Sequence, residues 1–304
     1  MNENVRIELS SCALGGADAF EKVSAAKRSA ERYGFTLGVQ IHNTAEKSLL
    51  DNISRFGVPL SFHAPVLADF AANFAAKDPA LAFEILDQAA VLMRTYGVGK
   101  AVFHGFFMTD NPIPAFGRGR TYEECARAVW RPDLVYPNSS VCRDFSGSDE
   151  FKERAERLKK NLQVLKNRYD DVEFMIENDC PLYVSGMMFP ETFIGLDFPV
   201  CLDTGHLWAS SFVFGQDFYE SLETIAGTSL VKMSHLHTSP FNATVPKEKW
   251  SDGHMNFSAP TMMNMRRIIK VLKQNNVKHF IFEFNDFSTK DIDIFAEMWE
   301  GKQA

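Results

Sequence analysis

The strongest constraint on the fold is a rhythm of eight short apolar runs, most of them followed by a stretch of helical periodicity. Residues 5–9, 36–42, 58–63, 100–104, 173–177, 200–203, 230–237 and 278–283 read as strands. Helices are expected over 17–33, stopped by Gly34, and over 45–56, stopped by Gly57. A third opens at Asp78-Pro79 and ends at Gly97. Phe151, Ala155, Leu158, Leu162 and Leu165 mark a fourth, and 261–274 a further one before the last strand. The charged residues between 152 and 160 are the solvated face of the fourth helix rather than a nucleic-acid patch. This alternation describes a single (β/α)8 barrel better than a doubly wound sheet. Between residues 105 and 148 the rhythm breaks into a Pro- and Gly-rich stretch, read as a long loop (roughly 105–150) inserted after the fourth strand of one domain spanning 1–304.

Composition narrows the function class. The 304 residues carry a formal charge of −7, so no global basic field advertises a polyanionic partner. Cys12, Cys125, Cys142, Cys180 and Cys201 are scattered and odd in number, as expected of reduced thiols in a cytoplasmic protein. The first residues lack a basic segment followed by an apolar one, and no apolar run reaches membrane-spanning length.

In such a barrel, chemistry belongs to the C-terminal ends of the strands. Those ends read His63, His104, Glu177, Asp203 with His206 on the turn that follows, His235, and Glu283; Asp252 and His254 lie in the loop after the seventh strand. Strand alternation turns the preceding Phe62, Phe103, Ile176, Leu202 and Phe282 outward to the helices, so the polar tips share the axis side. Four carboxylates crowded at a partly dry mouth cannot all ionise unaided, because like charges raise one another's pKa. The matching positions offer no Lys or Arg. Two or three divalent cations would supply the counter-charge, and mixed His and carboxylate ligation favours zinc, then manganese or iron, over magnesium or calcium.

Phe62-His-Ala-Pro65, Val102-Phe-His104, Ile176-Glu-Asn178, Leu202-Asp-Thr-Gly-His206, His235-Leu-His237, Asp252-Gly-His254 and Glu283, taken in order, resemble the xylose-isomerase-like barrel superfamily over nearly the whole chain. That group holds sugar isomerases and epimerases and also endonuclease IV. The resemblance to endonuclease IV implies up to three metals. His63, His104 and Glu177 would hold the first. Asp203, His235 and Glu283 would hold the second, with Glu177 as bridge, and His206, Asp252 and His254 the third. The resemblance to the isomerases and epimerases implies one metal, held by Glu177, Asp203, His235 and Glu283. Three departures from endonuclease IV argue against DNA as substrate: Val66 stands where that enzyme has a Tyr, the loop after the fourth strand is long enough to cover the mouth where that enzyme's is short, and Asp179-Cys-Pro181 replaces its Thr-Ala-Gly.

Other residues read more plainly. His279 lies at the start of the last strand and is structural or exposed, and His42 is a lip residue. His237 shares a face with His235, which takes the ligand role in the superfamily's pattern. Gly117-Arg-Gly-Arg120 is a flexible basic turn before it is a phosphate cradle. The residues expected to carry chemistry are Glu177, Glu283, Asp203 and His206. The leading expectation is a metal-dependent phosphoester hydrolase; the competing one is a sugar or sugar-phosphate isomerase or epimerase, in which Glu177 and Glu283 shuttle a proton beside one metal. Either acts on a small sugar or phosphorylated substrate under the covering loop, rather than on nucleic acid.

Overall fold

The apolar runs close on themselves. The computed structural model describes residues 4–301 other than Arg118 and Tyr183, so the expectations resting on the first three residues and on Arg118 lie outside the described residues. The strands are β1 (Arg6–Ser10), β2 (Thr36–Ile41), β3 (Leu60–Ala64), β4 (Phe70–Ala71), β5 (Lys100–Phe103), β6 (Ile113–Pro114), β7 (Glu173–Glu177), β8 (Val200–Asp203), β9 (Val231–Leu236) and β10 (His279–Phe282). Eight of them, all but β4 and β6, form a closed barrel, with β10 pairing back onto β1 in parallel. This is the (β/α)8 architecture expected from the alternation, and each barrel strand lies within about two residues of its predicted run.

The helices are α1 (Ala19–Arg32), α2 (Lys47–Ile53), α3 (Ala80–Tyr96), α4 (Tyr122–Ala128), α5 (Asp149–Lys166), α6 (Pro190–Ile194), α7 (Thr204–Phe214), α8 (Phe218–Ala226), α9 (Met265–Gln274) and α10 (Thr289–Glu300). Period-two alternation sorts the strand residues as read. Phe62, Phe103, Ile176, Leu202 and Phe282 join the large core between barrel and helices. Val102, Met175, Cys201, Met233 and Ile281 form a separate apolar plug inside the barrel. That plug is the floor on which the polar tips stand. Beneath it, at the N-terminal end, Glu8 contacts Arg6 and Ser61 and lies 3.0 Å from His279. His279 is therefore one of the structural residues of the barrel floor, 6% exposed.

Two local readings change. The turn expected between Asp203 and His206 is the start of α7: the Asp203 side chain accepts from the His206 backbone N–H at 2.6 Å and caps the helix. Residues 105–148 are not all loop. They contain β6, paired antiparallel with β4, and α4, which opens with a capping box made by Thr121 and Glu124. The segment is pinned beside the barrel mouth by Asn73, whose amide donates to the Phe107 and Thr109 carbonyls, and by the buried Arg154 of α5.

Candidate metal centre

Parallel strands in register deliver their last residues to one rim, which is why residues far apart in sequence meet here. Glu177, Asp203 and His235 are fully buried, with 0% exposure, and His63, His206 and Glu283 are at most 6% exposed. Several overlapping groups of side chains form, each with ligand-type atoms within 4.8 Å of one another, and three of them make up the centre. The central group is Glu177, Asp203, His235 and Glu283; the inner-lip group is His63, His104 and Glu177; the outer group is His206, His237, Asp252 and His254. All nine residues singled out in the sequence as metal ligands therefore converge.

Glu177 stands between the first two groups. Its Oε1 is 2.8 Å from His235 Nδ1, and its Oε2 is 3.3 Å from His63 Nε2 and 3.9 Å from His104 Nε2. His235 Nδ1 also lies 3.1 Å from Glu283 Oε2 and 3.9 Å from Asp203 Oδ2. These approaches are close without being hydrogen bonds: both Glu177 oxygens, Asp203 Oδ2, His235 Nδ1 and Glu283 Oε2 are buried without a hydrogen-bond partner. Buried polar atoms are almost always paired, so a convergent set left unpaired fits a shared cation. Three carboxylates and an imidazole are a donor set suited to a divalent ion.

The outer group depends on a loop returning to the rim. Thr238 and Met255 exchange backbone hydrogen bonds at 2.8 and 3.1 Å, which folds Asp252 and His254 back over the barrel. Gly253 permits it: a Cβ there would lie 2.6 Å from the Thr238 carbonyl oxygen. His206 Nε2 and His254 Nε2 then face Asp252 Oδ2 at 3.0 and 2.9 Å.

Burial opposes charge throughout, and opposite charges overcome it. His235 and His104 hold Glu177 well below the usual carboxylate range, His235 does the same for Glu283, and His206 and His254 for Asp252. On the imidazole side, Asp179 and then Glu177 push His104 up to about 9, and Asp252 pushes His254 up to about 10. Asp203 and Asp252 raise His206 well above its ordinary value. The carboxylates thus hold positive charge on the imidazoles around them, a role divalent ions would take over.

Two contributors were not read from the sequence. Asp179 contacts His104 Nδ1, which leaves Nε2 to face Glu177. A carboxylate behind a histidine is the usual way to fix a ligand's tautomer. His237 sits in the outer group, whereas the sequence reading had it competing with His235 for the same place. The H-x-H spacing puts both on one face but does not say which group each joins. His42 lies beside His63, ring centroids 5.2 Å apart, and lines the cavity; burial and then the His63 charge press it down to about 3.

The groups open into a cavity of about 460 Å3. His63, His104, His206, Asp252, His254 and Glu283 form one wall; Phe107, Ile113, Pro114, Phe116, Cys125 and Val129, all from the segment after β5, form the other. Among the described residues, no lysine or arginine lines it. The five cysteines are free, and among the described residues no helix is long and apolar enough to cross a membrane.

The sequence matches no family model and no curated protein. Solved structures do match along nearly the full length. A D-tagatose 3-epimerase-like protein superposes with a TM-score of 0.59 at 13% identity, covering 98% of this chain and 99% of its own. Mannonate dehydratase from Streptococcus suis serotype 2 gives 0.60 at 11%, covering 99% and 95%. A sugar phosphate isomerase/epimerase from Parabacteroides distasonis gives 0.50 at 14%, covering 97% and 93%. At such identities the likeness is one of fold: the chain shares with them the closed eight-stranded parallel barrel.

Proposed function

We propose that this protein is a divalent-metal-dependent isomerase or epimerase acting on a small, uncharged polyhydroxy carbonyl compound. The observation that carries this reading is the cavity. Its volume of about 460 Å3 suits a sugar-sized molecule, and a duplex has no room in it. Its described lining lacks the lysine or arginine with which phosphate groups are commonly gripped, and its far wall is apolar. The barrels that share the fold include a D-tagatose 3-epimerase-like protein and a sugar phosphate isomerase/epimerase, which supports the isomerase reading over the hydrolase one.

The central set of Glu177, Asp203, His235 and Glu283 would hold the ion. When bound, that ion supplies a Lewis acid that polarises a carbonyl and its neighbouring hydroxyl and acidifies the adjacent C–H. Glu177 and Glu283 lie either side of His235, at 2.8 and 3.1 Å from its Nδ1, and both are held ionised. One would take the proton from carbon, and the other, once it has itself picked up a proton from solvent, would deliver one to the opposite face. His206, on the cavity wall, is placed to steady the substrate's oxygens, and the apolar wall from residues 107–129 faces the same cavity.

The test is solvent exchange. Protein reconstituted with Zn2+ or Mn2+ in D2O, given a panel of free and phosphorylated ketoses and a model phosphodiester, is expected to place deuterium on carbon in the free sugars. Glu283→Gln should lower that exchange by at least about a hundredfold, as loss of a general acid or base does. Phosphodiester cleavage without exchange into any sugar would instead establish the hydrolase.

A further inference from the structure

By proximity alone, His206, His237, Asp252 and His254 make a four-ligand closed site of the structural kind. Their hydrogen bonds divide them. An imidazole that binds an ion through Nε2 carries its proton on Nδ1 and usually donates it to a carbonyl or carboxylate. His206 is arranged this way, with Nδ1 2.8 Å from the Asn178 carbonyl oxygen and Nε2 facing Asp252. His254 is too, with Nδ1 3.0 Å from the Glu283 carbonyl oxygen. His237 has the opposite polarity. The backbone N–H of His254 donates to His237 Nδ1 at 3.0 Å, so that nitrogen offers its lone pair and the proton sits on Nε2. His237 Nε2 is 3.1 Å from Asp203 Oδ1 but 3.8 Å from Asp252 Oδ1. The other tautomer would set two N–H groups face to face on a fully buried ring. Its nearest alternative acceptor, the Thr238 carbonyl oxygen, is 3.4 Å away.

We infer that His237 is not a metal ligand but a positioning residue, one that donates Nε2–H to Asp203 and accepts the His254 backbone N–H, joining the central carboxylates to the loop that carries Asp252 and His254. Three consequences follow. Asp203 Oδ1 is saturated by two donors, the His206 N–H and His237 Nε2–H, which leaves the unpartnered Oδ2 as the oxygen free to bind an ion. The outer group keeps three ligand atoms, from His206, Asp252 and His254, and so has an open position. The ring's seat is built into the backbone: a Cβ on Gly205 would lie 2.0–2.5 Å from the His237 ring atoms, so the first turn of α7 must carry glycine there.

The consequences for metal binding rest on the metal-dependent reading above; the tautomer does not, so two measurements separate them. In EDTA-stripped protein labelled with 15N-histidine, two-bond ring correlations, assigned by the signal lost in His237→Gln, are expected to show the His237 ring proton on Nε2 and a bare Nδ1. A proton on Nδ1 would overturn the inference. After reloading with Zn2+, His237→Gln, whose amide can still donate to Asp203, should hold the wild-type number of ions. His237→Leu should hold the same number but bind the ion at Asp203 about 10- to 100-fold more weakly, the usual effect of losing such a partner. Loss of a whole equivalent in His237→Gln, matching His206→Ala, would make His237 a ligand and end the inference. A wild type that takes up no Zn2+ or Mn2+ would end the proposed function, while the tautomer measurement would still decide the role of His237.

Discussion

Glu177 is the residue on which the candidate centre turns, because its two oxygens face different histidines: Oε1 toward His235 and Oε2 toward His63 and His104. Removing it should disturb two groups, whereas removing His104 disturbs one. Metal analysis of loaded protein is expected to show Glu177→Ala losing at least one equivalent more than His104→Ala; equal losses would remove the bridge. The convergence of these side chains was legible in the sequence because period-two alternation and parallel strands leave a strand's last inward residue little choice of place. Hydrogen-bond direction was not legible. Nothing in His235-Leu-His237 states that the second imidazole accepts from a backbone N–H seventeen residues further on. Likewise Asp179 could be seen to depart from the endonuclease IV pattern, but its contact with His104 depends on the path of the chain after β7.

At the level of elements, the eight barrel strands and the helices α1, α2, α3, α5 and α9 announced themselves, whereas α4, α6, α7, α8 and α10 did not. Helix α7 buries Thr204, His206, Leu207, Ala209, Ser210 and Val213 on nearly every side, so it lacks the polar stripe by which a surface helix is read. Helix α10 does carry a start signal, the Ser288 and Asp291 capping box, which the sequence reading passed over. Helix α4 lies in the stretch taken for loop, where Pro and Gly outweigh its seven residues. What holds that stretch in place is Arg154, 5% exposed, whose guanidinium meets Asp110 at 2.8 Å, the Thr109 carbonyl at 3.0 Å and Glu150 at 2.9 Å. Removing one partner of a buried charge network leaves the others unpaired. Arg154→Met should therefore speed limited proteolysis within residues 105–148 several-fold while far-UV circular dichroism reports an intact barrel. An unchanged digestion pattern would show that Asn73 and the β4–β6 pair suffice to hold the segment.

For the whole molecule, charge and shape point the same way. Thirty-nine acidic residues outweigh thirty-two basic ones, giving −7, and the described lining of the cavity adds no basic side chain to offset that field. Apolar residues between 107 and 129 line the same cavity as the histidines. A polyanion approaching this surface meets net repulsion. An enzyme that grips a nucleic-acid backbone behaves differently. Each phosphate it neutralises releases counterion, and six to ten such contacts cost about three to five decades of affinity between roughly 50 and 200 mM salt. Metal-loaded protein titrated with duplex DNA containing an abasic site is therefore expected to bind weakly at low salt and with a shallow salt slope. Arg120 donates to the Asp69 carbonyl at 2.6 Å, which ties the one described arginine of the Gly117–Arg120 turn to the protein itself. Tight binding that falls steeply with salt would mean that the apolar wall moves aside to expose the centre, and the hydrolase reading would then replace the one proposed here.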